Sequence, residues 1–119
     1  MITSRTIKVQ WSTDGFHRWP GASPERVYLA DRHRHRFVFS VTIPVSHSER
    51  DVEFHDLLET ARANIEAGGT PVEFGAKSCE SIAEELAAKL GTDHGLDWVV
   101  VSVSEDGYVE GCVRWENDV

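Results

Sequence analysis

Two histidines stand two residues apart in Asp31-Arg32-His33-Arg34-His35-Arg36-Phe37, a run that continues into Val38, Phe39, Ser40, Val41, Thr42 and Ile43. On a strand, side chains two apart share a face, so His33 and His35 line up with Phe37, Phe39, Val41 and Ile43 while the arginines point away. Imidazoles placed this way can converge on one metal ion. The same pattern also describes a charged, solvated strand end, and taken alone the residues leave both readings open. A third histidine, His17, lies upstream in Phe16-His17-Arg18-Trp19-Pro20.

Other groups offer chemistry more faintly. Asp93-His94 has the composition of a carboxylate-oriented general base, but a polar helix-to-strand loop is the plainer reading of the same pair. Glu105 precedes Asp106-Gly107, where a turn residue is the local reading. Cys79 falls at the start of a helical segment, where a helix dipole stabilises a thiolate, although a small residue simply filling that position is the plainer reading. Arg32, Arg34 and Arg36 form a basic face suited to a carboxylate or phosphate, or to acidic side chains of a neighbouring subunit.

The elements that must carry these groups follow from periodicity. Ile7, Val9 and Trp11 alternate with Lys8 and Gln10, predicting a half-buried strand over 5–11. Gly15, Pro20, Gly21 and Pro24 then predict a loop over 12–24 that holds His17 and two exposed aromatics, Phe16 and Trp19. After the histidine strand, Asp51 is a suitable N-cap for a helix whose buried face is Phe54, Leu57, Leu58, Ala61 and Ile65. That face leaves His55 on the surface. Ala67-Gly68-Gly69-Thr70-Pro71 ends the helix, and Ser78 caps a second one running to Gly91. Trp98 to Val103 is an apolar, β-branched run expected at the centre of a sheet. Glu105-Asp106-Gly107 turns it back into a strand ending at Trp115.

With 119 residues, 40% of them hydrophobic and 27% charged, the chain has the length and composition of a single globular domain, residues 1–119. A net charge of -8 argues against nucleic acid as a partner. The N-terminus carries no apolar signal core and no stretch is long enough to cross a bilayer, so a cytoplasmic protein without a membrane partner is expected. Cys79 and Cys112 lack Cys-x-x-Cys spacing and read as reduced thiols.

The order strand, strand, two helices, strand, strand, together with His33-Arg34-His35-Arg36-Phe37-Val38-Phe39, resembles the 6-pyruvoyltetrahydropterin synthase and 6-carboxytetrahydropterin synthase family over nearly the whole chain. The lone His17 sits where that family has a third histidine. Asp51-Val52-Glu53-Phe54-His55-Asp56-Leu57 resembles the family's first helix opening, Ser78-Cys79-Glu80-Ser81-Ile82-Ala83 its second, and Val101-Ser102-Val103-Ser104-Glu105 the strand whose glutamate holds the pterin. Two family features are missing: its nucleophilic cysteine corresponds to Leu29, and residues 66–77 contain no Leu-Asp-His motif.

The resemblance implies an α+β tunnelling fold, with a four-stranded antiparallel sheet and two helices on one face, inserted between the second and third strands. It implies Zn2+ held by His17, His33 and His35, a reduced pterin or related base held by Glu105, and a homo-oligomer, trimer or hexamer. The corresponding activity is that of a carbon–oxygen lyase in a pterin or 7-deazaguanine (queuosine) pathway, with Asp93 and His94 as the remaining acid–base pair. The alternative is an inactive pterin- or purine-binding oligomer.

Overall fold

Buried and exposed positions keep alternating beyond Trp11 even though Ser12, Thr13 and Asp14 are all polar, and the first strand is correspondingly long. In the computed structural model, which describes residues 1–118, β1 runs Arg5–His17 with Val9, Trp11, Thr13, Gly15 and His17 all on its buried side. Thr13 is tolerated there because its hydroxyl is satisfied: Trp11 Nε1 donates to it at 3.1 Å and it donates to Glu66 at 2.5 Å. The loop expected over 12–24 therefore begins only after His17, and His17 is a strand residue.

β2, His33–Val45, pairs antiparallel with β1 along its whole length, from Arg5 opposite Val45 to His17 opposite His33. Between them, Pro24–Leu29 forms a short 3-10 turn. Helix α1, Phe54–Glu66, begins two residues later than Asp51 would have it, because Glu53 supplies the cap by accepting from the Asp56 N–H. Asp51 instead ties down Ser46 through its backbone N–H and hydroxyl. Phe54, expected on the buried face, is 48% exposed in the first turn; Leu57 and Ala61 carry the contact, and His55 lies on the surface.

The short segment between the two helices makes a fifth strand. β3, Val72–Gly75, pairs parallel with β1, so the sheet is mixed and five-stranded rather than four-stranded and antiparallel. Helix α2, Cys79–His94, is capped by the Ser78 hydroxyl and runs past Gly91 to a left-handed Gly95. β4, Trp98–Glu105, and β5, Val109–Glu116, form the expected hairpin around Asp106 and Gly107, both at positive φ. The strand order is β3-β1-β2-β4-β5, which puts β2 at the centre in place of β4. Val99, Val101 and Val103 are fully buried, while Val100 and Ser102 on the other face are only half-buried.

Both helices cover one face of this sheet. Leu57 and Ala61 from α1, and Ile82, Leu86 and Leu90 from α2, close over Phe37, Phe39 and Val41. Trp11 stacks on Phe39 with ring centroids 5.0 Å apart. Where β1 ends, β2 begins and β4 ends, the same buried face changes from apolar side chains to three imidazoles and the Glu105 carboxylate.

Candidate metal centre

Strand registry assembles the cluster. His17 faces His33 across the β1–β2 ladder, and His35 follows two residues on, so three imidazoles share one patch with Phe37 beneath them. The metal-ligating nitrogens of His17, His33 and His35 all lie within 4.8 Å of one another. Ring centroids are 4.6 Å apart for His17 and His33, 5.2 Å for His17 and His35, and 4.9 Å for His33 and His35.

Each ring is held through its Nδ1. His17 Nδ1 donates to the Lys77 carbonyl at 3.0 Å, and His33 Nδ1 to the Asp31 carbonyl at 2.8 Å. His35 Nδ1 donates to the Asp106 carboxylate at 2.7 Å. A carbonyl oxygen can only accept, so in the neutral rings Nδ1 carries the proton and Nε2 is left with its lone pair. Metal-binding imidazoles are oriented in this way, by an acceptor on the far nitrogen. Burial holds the His17 imidazole below its ordinary pKa, against the opposing pull of the Lys77 carbonyl and Glu105. His35 Nε2 is buried with no hydrogen-bond partner. Three oriented imidazoles, one of them with an orphaned nitrogen, form a donor set that fits Zn2+.

Glu105 closes the patch from the end of β4. Its carboxylate oxygens lie 3.2 Å from His17 Nε2 and 3.4 Å from His35 Nε2. Asp106 supports the arrangement from the turn. The Arg36 backbone N–H and the His35 ring both donate to Asp106, which lowers its pKa below the usual carboxylate range.

A cavity of about 440 Å³ opens beside the cluster, lined by His17, His33, Glu105, Trp19, Leu29 and Cys79 among others. That is within the size range of small-molecule sites. Trp19 is half exposed at this cavity, and its backbone N–H donates to the Leu29 carbonyl, tying the two together. Cys79 lies at the same cavity. Its thiol donates to Glu105 at 3.8 Å and is pushed up to about 12, first by burial and then by the Glu105 and Glu80 charges. These outweigh the helix dipole, so Cys79 is a protonated thiol and not the thiolate that its place at a helix start suggests.

Among the sequence-predicted residues, His17, His33, His35 and Glu105 thus come together. Asp93 and His94 do not join them. Both are exposed in the last turn of α2, where Asp93 pairs with Lys89 at 2.9 Å, some 15 residues and hence about 22 Å along the helix from Cys79. Two of the three residues of the arginine face, Arg32 and Arg34, are also engaged within the chain. Arg32 forks onto Glu73 of β3 and lies over the Phe16 ring, and Arg34 pairs with Asp14 at 3.0 Å.

No protein-family model matches the chain, and no curated protein sequence does. Solved structures do. A catalytic-residue mutant of Plasmodium vivax 6-pyruvoyltetrahydropterin synthase aligns with a TM-score of 0.67 at 14% identity, covering 98% of this chain and 100% of that one. The Plasmodium falciparum 6-pyruvoyl tetrahydropterin synthase aligns at 0.63 and 12% identity, covering 98% and 100%. The Caenorhabditis elegans 6-pyruvoyl tetrahydropterin synthase aligns at 0.61 and 12%, covering 98% of each chain. The protein therefore has the fold of the 6-pyruvoyltetrahydropterin synthases over essentially its whole length.

Proposed function

We propose that this chain is a zinc-binding protein of the 6-pyruvoyl- and 6-carboxytetrahydropterin synthase type that acts on a reduced pterin. The observation that carries the reading is the set of three imidazoles, each fixed by an acceptor at Nδ1, with their ligating nitrogens within 4.8 Å of one another beside a ligand-sized cavity. Zn2+ held by His17, His33 and His35 would supply a Lewis acid next to the bound ring.

The chain's own groups do the rest. Glu105, at the strand end, accepts two parallel N–H bonds from the aminopyrimidine edge of the ligand. Leu29 contributes only an aliphatic surface and cannot move a proton, whereas Cys79 holds one at Sγ within the same cavity. Chemistry that needs a thiolate at the position of Leu29 is thus foreign to this pocket, and the reaction is an altered version of the family's lyase step. The assembly is a homo-oligomer.

Two measurements test this. Protein purified without a histidine tag is expected to carry about one equivalent of zinc, falling below roughly a tenth in His33→Ala, because removing one of three ligands leaves a poor site. Turnover of dihydroneopterin triphosphate that disappears with His33→Ala separates an enzyme from a protein that only holds the ring. Metal-free wild-type protein would sink the reading.

A further inference from the structure

Glu105 faces two nitrogens that cannot donate to it. In the neutral rings, the Nδ1 protons of His17 and His35 are committed to the Lys77 carbonyl and the Asp106 carboxylate, so both Nε2 atoms present lone pairs to Glu105. Yet the carboxylate oxygens stand 3.2 Å from one of these atoms and 3.4 Å from the other. Acceptor set against acceptor repels unless a cation lies between them, and His35 Nε2 is buried with no hydrogen-bond partner. The carboxylate is partly covered at 28% exposure, and the Cys79 thiol donates to Oε1 at 3.8 Å, which keeps it beside the imidazoles until a stronger donor competes.

Resting on the metal reading above, we propose that Glu105 is the fourth protein donor to the metal in the ligand-free protein, making a closed three-histidine, one-carboxylate site. A heterocycle entering the cavity would then draw the carboxylate away with its ring N–H groups, and only that exchange opens a coordination position. The site would be shut against water and small anions until the correct ring arrives. Sites with four protein donors are structural in character, and those with three are catalytic; here a single side chain moves the centre from one kind to the other.

The test uses Co2+ in place of zinc, because its visible absorption reports the donors around it, with azide as a small anionic probe. Wild-type protein is expected to take up about one equivalent of Co2+ and to keep its spectrum unchanged in millimolar azide. Glu105→Ala is expected to bind Co2+ roughly tenfold or more weakly and to show a clear azide-induced spectral shift. If azide shifts the wild-type spectrum as readily as that of Glu105→Ala, the fourth position is open and the proposal falls, while the metal reading stands. If the wild type takes up no Co2+, both fall. The wild-type azide titration decides the matter even if Glu105→Ala does not fold.

Discussion

At His17 the cost of charging a buried imidazole outweighs the help of its neighbours. Its folded-state pKa lies below the ordinary value, chiefly through burial, so the unfolded chain takes up the proton first. The stability tied to neutral His17 is accordingly complete above about pH 6.5 and is lost as pH falls below it. In metal-free protein, the melting temperature of the wild type should drop more steeply between about pH 7.5 and 5.5 than that of His17→Gln. Parallel slopes would show that the ring is not held neutral by its surroundings. Of the site, His33 and His35 were legible because a two-residue spacing fixes a shared strand face. The Lys77 and Asp31 carbonyls that orient two of the rings were not, since every residue carries one and only the fold aims it. The contact between Cys79 and Glu105 was not legible either, since it joins residues 26 apart in sequence.

The elements that position the site depend on two local devices at opposite ends of α2. At its start, the Ser78 hydroxyl accepts from the Ser81 N–H and fixes the turn that brings Cys79 and Glu80 to the cavity. Ser78→Ala should cost about 1 kcal/mol, measured by denaturant unfolding. Near its end, Gly91 lets the helix approach β5 so closely that an added Cβ would lie 2.2 Å from the Trp115 ring. Alanine is normally the better helix former by about 1 kcal/mol, but overpacking against a rigid ring costs about 1–3 kcal/mol, so Gly91→Ala should destabilise. Adding Trp115→Leu should recover much of that loss, and an unchanged or higher stability for Gly91→Ala alone would refute the close-packing account. Gly91 also explains why α2 was expected to stop three residues early. Glycine signals a helix end in sequence, and only the ring of Trp115 reveals that here it marks a close approach. β1 was cut short for a related reason, since Ser12-Thr13-Asp14-Gly15 has turn composition and the bonds from Trp11 and to Glu66 that bury Thr13 are not visible in the sequence. The β3 strand was missed because four residues next to glycines and a proline carry too little periodicity to register.

Across the whole molecule, the two helices cover one face of the sheet and leave the other open. That open face carries Lys8, Gln10, Val38, Ser40, Thr42 and Ser102, and within the described residues β5 forms an outer edge with no strand beyond it. Towards the histidine end of the sheet, Tyr108 is 92% exposed, Val109 61%, Tyr28 67% and Val27 63%. An unpaired edge strand beside large exposed apolar groups is a site for pairing with another chain. Sedimentation is therefore expected to give a multiple of the 13.4 kDa chain mass, and Tyr108→Glu combined with Val109→Lys should shift it to that of a single chain. Charge sets the direction of a further check. Each copy carries a net charge of -8, so copies repel one another, and that repulsion is screened beyond about 8 Å at 0.15 M salt. If apolar burial and strand pairing drive assembly, dissociation on dilution should need a lower protein concentration as salt is raised. If assembly instead weakens with salt, ion pairs between copies hold it together, and the open edge and apolar groups are not its basis.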